Sequence, residues 1–182
     1  MATERSGYVT LLLGGARSGK SRYAQQLAAR SERVAFIATA TASDDEMRRK
    51  IARHQTDRPA SWRTYEVPLD LEATILAEAG AYQAVVIDCL TLWTANLLHH
   101  YQMKPEPILE RADGLCSLLG KAETKFFLVS NEVGDSVVPA YESGRIFRDV
   151  LGELNQRVAR VADQVLLMVA GYPLVVKDRV IG

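Results

Sequence analysis

The chain has 182 residues, 22 Lys plus Arg against 22 Asp plus Glu, and 48% hydrophobic residues. That length is one domain with a sizeable core, and a formal charge of zero argues against general nucleic-acid binding, which needs a basic footprint. Cys89 and Cys116 stand in apolar contexts without metal-ligand spacing and read as buried free thiols of a reducing cytosol.

The N-terminus, Met-Ala-Thr-Glu-Arg-Ser-Gly, has no apolar signal core. No apolar run approaches the ~18 residues a membrane span needs. The expectation is a cytoplasmic protein without a membrane span.

Tyr8 to Leu13 reads as a buried strand and Ser21 to Arg30 as a helix. Between them, Gly14-Gly15-Ala16-Arg17-Ser18-Gly19-Lys20-Ser21 fits the phosphate-binding pattern G-x-x-x-x-G-K-[S/T]. Glycines let such a loop turn its N–H groups onto phosphate oxygens, and the helix N-terminus adds its positive dipole end. Lys20 is expected to reach the β- and γ-phosphates, and the Ser21 hydroxyl to ligate magnesium.

Val34 to Ala38 is a second strand, followed by Thr39-Ala40-Thr41-Ala42. Ligands of open α/β sheets bind beyond the carboxyl ends of the strands, which places both threonine hydroxyls to meet a nucleotide, although small polar residues also fill plain loops. Ser43 and Glu46 form a capping box for a helix that runs to about Asp57, ahead of Arg58-Pro59. Met47, Ile51 and His54 share its inward face, with Arg48, Arg49 and Arg53 toward solvent.

Trp62 to Val67 alternates as a third strand, with Glu66 near its C-terminal end. Leu69 to Ala79 is an amphipathic helix with Leu71, Ile75 and Leu76 as its apolar face. Gln83 to Asp88 is a β-branched run ending in an acid, the look of a Walker B element. Asp88 then stands beside Ser21 to hold magnesium; capping the next helix is the other reading, and the two are compatible.

Leu90 to His100 is helical, and Pro105 and Pro107 break it from a helix over Ile108 to Ala122. Lys125 to Ser130 is a strand that delivers Asn131-Glu132-Val133-Gly134 to the same edge. A helix from about Ser143 to Ala162 precedes two strands, Gln164 to Ala170 and Leu174 to Lys177, around a Gly171-Tyr172-Pro173 turn. The fold class is α/β: a three-layer, P-loop NTPase-like fold with a mostly parallel sheet and an antiparallel edge hairpin. Residues 1–182 form a single P-loop nucleotide-binding catalytic domain.

His99 and His100 end a helix and read as a solvated C-terminal face. His54 has two readings. A lone histidine on an apolar face is commonly a satisfied core residue, but a neutral imidazole can also attack phosphorus and form a phosphoramidate. Arg53, Arg58 and Arg63 supply cations close in sequence.

An ordered set of motifs carries a family resemblance from about Val9 to Lys177. These are G-G-A-R-S-G-K-S (Gly14 to Ser21), D-D-E-M (Asp44 to Met47), K-I-x-x-H-x-x-x-R-P (Lys50 to Pro59) and W-R-T (Trp62 to Thr64). They continue as D-C-L-T-L-W-x-x-N-L-L (Asp88 to Leu98), S-N-E-V-G (Ser130 to Gly134), F-R-D (Phe147 to Asp149) and N-Q-R-V-A (Asn155 to Ala159). The chain resembles the bifunctional adenosylcobinamide kinase/adenosylcobinamide-phosphate guanylyltransferases of cobalamin biosynthesis.

The resemblance implies transfer of a γ-phosphate from ATP or GTP to adenosylcobinamide, then transfer of GMP from GTP through a guanylyl-histidine. It implies that His54 is the nucleophile. It places nucleotide contacts on Gly14, Gly15, Ala16, Arg17, Ser18, Gly19, Lys20, Ser21, Thr39, Ala40, Thr41, Gln55, Thr56, Asp57, Arg58, Glu66 and Asp88. Mg2+ with GTP and ATP, a corrinoid substrate and a homo-oligomer, a trimer in the family, come with it. Departures from several relatives fall at Ser136 and over Ala140 to Gly144. Kinase activity alone, or a nucleotide-binding regulator, are the competing functions.

Overall fold

The computed structural model describes residues 7–41, 59–135 and 137–179. The seven strands are β1 (Val9–Leu13), β2 (Val34–Ala38), β3 (Arg63–Glu66), β4 (Ala84–Asp88), β5 (Lys125–Val129), β6 (Gln164–Val169) and β7 (Tyr172–Asp178). They form one sheet in the order β3-β2-β4-β5-β1-β6-β7. Every pairing is parallel except β6 with β7. The helices are α1 (Lys20–Ala28), α2 (Leu71–Glu78), α3 (Leu90–His100), α4 (Pro105–Lys121) and α5 (Glu142–Val161). A 3-10 turn, Ala79–Ala81, follows α2.

Strand side chains alternate between faces, so each central strand feeds two cores. Leu11, Ile37, Val85, Ile87 and Leu128 pack with α2 to α5 around Trp93 and Leu115. Leu12, Phe36, Val86 and Phe127 pack on the other face with Ala24 and Ala28 of α1. Each fully buried side chain of this size contributes about 1.5–3 kcal/mol, and this two-sided burial sets the register that brings the strands' carboxyl ends to one edge.

Several elements differ from expectation. The prolines do separate α3 from α4, but Pro105 opens α4 and Pro107 lies within its first turn, so the helix begins three residues before Ile108; first-turn N–H groups have no partner within the helix, so proline is tolerated there. In α2, Leu71 and Ile75 are buried, but Leu76 is exposed, since one residue onward turns the side chain by about 100°. The hairpin turn is Ala170-Gly171, with φ of 50° and 88°, the doubly positive geometry that matches the twist of the flanking strands. Tyr172 and Pro173 already belong to β7, where an edge position tolerates proline. Cys89 and Cys116 are free and only half-buried.

Lys177 Nζ donates to the carbonyls of Ala159, Arg160 and Ala162. It places a cation on the C-terminal end of α5, where the helix dipole favours one. Val9 N–H donates to buried Asp163, which also pairs with Arg179. The antiparallel hairpin is thereby fastened to the sheet. No helix among the described residues is long and apolar enough to cross a membrane.

Candidate nucleotide site at the carboxyl edge of the sheet

The loop from Gly14 to Ser21 leaves β1 and enters α1. Gly14 has φ of 145°, and a β-carbon there would stand 2.6 Å from the Met168 carbonyl oxygen. Gly19, with φ of 96°, lies against Gly171 of the hairpin turn. Gly171 N–H donates to the Ser18 carbonyl at 2.9 Å, and Glu132 N–H donates to the Gly14 carbonyl at 3.1 Å. The loop is thus held from the hairpin on one side and from the end of β5 on the other.

Lys20 is buried, and its Nζ donates to Gly14 O at 2.8 Å, Gly15 O at 2.6 Å and Ser18 Oγ at 3.3 Å. Burial lowers its pKa, while Cys89 and Asp88 act in the opposite direction. A cavity of about 780 Å3 opens over the loop, lined from Ala16 through Arg22 and by Asp88, Cys89, Val129 and Asn131. Ser21 and Asp88 therefore share one cavity with Lys20. One hydroxyl and one carboxylate are hard oxygen donors that suit magnesium completed by phosphate and water. No cluster of three metal-ligating side chains exists among the described residues.

The strand order spreads the remaining positions along this edge. Asp88 ends β4, Thr39 follows β2 and Glu66 ends β3. At roughly 4.8 Å per strand, β4, β2 and β3 stand about 10, 14 and 19 Å from β1. Thr39, Ala40, Thr41 and Glu66 share the edge but do not line the cavity. Thr39 is 0% exposed. Its hydroxyl accepts from Cys89 N–H at 2.8 Å and donates to Cys89 O at 2.7 Å. The Asp88–Cys89 peptide bond is cis.

His54, Gln55, Thr56, Asp57 and Arg58, the helix expected from Ser43 to Asp57, and Ser136 lie outside the described residues. Arg63 opens β3 at the opposite end of the strand from Glu66, with its guanidinium 5.7 Å from the Tyr65 ring centre. It does not join the carboxyl edge.

Helix α3 organises the loops along that edge. Thr91 Oγ1 accepts from Asn131 N–H at 2.7 Å. Trp93 Nε1 donates to Leu69 O, and Asn96 Nδ2 donates to both Thr39 O and Pro68 O. Burial, reinforced by neighbouring Asp88, pushes the Cys89 thiol up to about 12; it meets the cavity as a neutral group. Arg22, Cys89 and Asn131 also line the cavity; Cys89 and Asn131 stand in the quoted motifs, but none of the three is among the expected nucleotide contacts. Only β5 lying between β1 and β4 brings Asn131 there.

Residues 10–176 match the family described as CobU, cobinamide kinase/cobinamide phosphate guanyltransferase. The bifunctional adenosylcobalamin biosynthesis protein CobP of Pseudomonas aeruginosa is 47% identical over 168 residues, covering 92% of this chain and 96% of that protein. CobU of Salmonella typhimurium, also a bifunctional adenosylcobalamin biosynthesis protein, is 39% identical over 178 residues, covering 92% and 98%. Among solved structures, the ATPase EscN of the enteropathogenic E. coli type III secretion system superposes with a TM-score of 0.59 at 11% identity. That match covers 96% of this chain but only 48% of the EscN chain, and shows a shared fold alone. With matched positions spanning nearly its whole length, the chain belongs to the cobinamide kinase/cobinamide phosphate guanyltransferase family of enzymes.

Proposed function

We propose that this single catalytic domain carries both family reactions, with His54 as the covalent carrier of GMP. The carrying observation is one cavity shared by the phosphate loop, Lys20, Ser21 and Asp88, in a chain matched by bifunctional relatives. ATP or GTP sits with its phosphates on Gly14 to Ser21. The Lys20 ammonium, held beside the loop carbonyls, compensates charge on the β- and γ-phosphates. Ser21 and Asp88 would hold Mg2+, which supplies charge screening between phosphates. The cobinamide hydroxyl takes the γ-phosphoryl by direct transfer, which needs positioning and electrostatics rather than a protein nucleophile.

In the second reaction an imidazole nitrogen of His54 attacks the α-phosphorus of GTP. A P–N bond forms, the α–β P–O bond breaks and pyrophosphate leaves with the electron pair. A phosphate oxygen of cobinamide phosphate then attacks the same phosphorus, the P–N bond breaks and the histidine is regenerated. Thr39, Ala40, Thr41, Gln55, Thr56, Asp57, Arg58 and Glu66 complete the nucleotide contacts away from the phosphate loop. A homo-oligomer, a trimer by family resemblance, fits the exposed apolar side chains Leu174, Val175 and Val176 on edge strand β7.

Intact mass after incubation with GTP and magnesium tests this reading. The expected product is one added GMP, about 345 Da, through an acid-labile bond of the kind a histidine intermediate forms. His54→Ala should lose the adduct and the guanylyl transfer while retaining most kinase activity. An adduct that persists in folded His54→Ala, or that maps elsewhere, overturns the assignment; no adduct on the wild-type protein leaves the kinase alone.

A further inference from the structure

Three family motifs meet at one residue to which no role has been given. Asn131 follows β5, the strand between β1, which carries the phosphate loop, and β4, which carries Asp88. Its main chain leaves the sheet and is held by side chains. Its N–H donates to Thr91 Oγ1 at 2.7 Å, and its carbonyl accepts from Asn155 Nδ2 at 3.1 Å. Asn155 is in turn fixed by Ser130, whose hydroxyl donates to Asn155 Oδ1 at 2.6 Å. Thr91, Ser130 and Asn155 are all buried.

Buried polar groups are costly unless paired, and here three of them, from α3, from the residue after β5 and from α5, are spent on one short stretch of main chain. The Asn131 carboxamide itself makes no hydrogen bond among the described residues. Asn131 lines the cavity with Lys20, Ser21 and Asp88. The network therefore fixes the base of a side chain whose polar end is left for something else.

A loop of this kind wraps the inner phosphates with its own N–H groups, and its lysine reaches the terminal ones. Asn131, two residues beyond β5, lines the same cavity as Lys20 and Asp88. We propose that the Asn131 carboxamide donates a hydrogen bond to the terminal phosphoryl of a bound nucleoside triphosphate, so that the site distinguishes triphosphate from diphosphate. Thr91, Ser130 and Asn155 are its positioning residues. This rests on the cavity being the triphosphate site. The amide suits the task because it offers two donors without adding charge.

The test compares GTP and GDP affinities, measured calorimetrically in magnesium, for wild type and Asn131→Ala. Because the replaced carboxamide has no hydrogen-bond partner among the described residues, the variant is expected to fold. Loss of a hydrogen bond to a charged oxygen should weaken GTP binding by about tenfold or more and leave GDP binding within about twofold. Thr91→Val should shift the GTP-to-GDP ratio in the same direction, and Thr91→Ser should restore it. Equal weakening of both nucleotides, or unchanged GTP affinity in folded Asn131→Ala, overturns the proposal. Failure of the wild-type protein to bind either nucleotide would overturn the triphosphate site itself, and the proposal with it.

Discussion

Thr39→Val separates two uses of one hydroxyl. Valine preserves the shape but removes the group that accepts from Cys89 N–H and donates to Cys89 O. Thr39 is 0% exposed, so water cannot replace it. The Cys89 carbonyl keeps its bond from Trp93 N–H, so the variant forfeits one net hydrogen bond of about 1 kcal/mol there and leaves only the Cys89 N–H unpaired, at about 1–3 kcal/mol. The extra buried methyl returns up to about 1 kcal/mol. The expected loss is about 1–3 kcal/mol. For a domain of this size that lowers Tm by about 2–12 °C.

Urea unfolding and a thermal melt measure this directly. Thr39→Ser keeps the hydroxyl and should cost about 1 kcal/mol, the value of one methyl group. GTP affinity at 20 °C should stay within about threefold in both variants, because the hydroxyl is buried and committed to Cys89. A Thr39→Val protein with wild-type stability and tenfold weaker GTP binding would refute the reasoning and return the hydroxyl to the nucleotide.

Asp88→Asn should raise the magnesium concentration needed for both reactions by about tenfold, because an amide oxygen lacks the carboxylate charge; a titration superimposing on wild type would leave Asp88 outside the metal site. With its thiol held near 12 rather than 9.0, Cys89 should have about a thousandfold less thiolate at pH 8 than a free thiol. Iodoacetamide should modify it slowly in the native protein and rapidly in guanidinium, and rapid native modification would contradict the raised thiol pKa. Because the folded state holds this proton more tightly, Cys89 leaves stability undiminished below about pH 9 and erodes it as pH rises toward 12.

Much of this protein was legible in local sequence because the relevant constraints are local. The phosphate loop needs glycine where φ is positive and a lysine at the helix start, and both lie within eight consecutive residues. β-branched runs between amphipathic helices were enough for a mostly parallel sheet, since a strand buried on both faces must be apolar throughout. Asp88 was readable for the same reason: it is the first acid after such a run.

Strand order was not legible, and it decides how the site is divided. Placing β5 between β1 and β4 brings Asn131 to the phosphate cavity, although it lies 110 positions beyond Ser21 in the chain. The same order sets Glu66 about 19 Å from β1. Two threonines in similar polar loops could not be told apart by composition, yet Thr39 is buried against Cys89 while Thr41 is exposed. Thr91, Asn96 and Asn155 stood in the motifs without a task. Their partners are main-chain groups 24 to 57 positions away, and hydrogen bonds of that range exist only once helices pack on the sheet. Residue type carries the chemistry a side chain can offer; which groups compete for it is settled by packing.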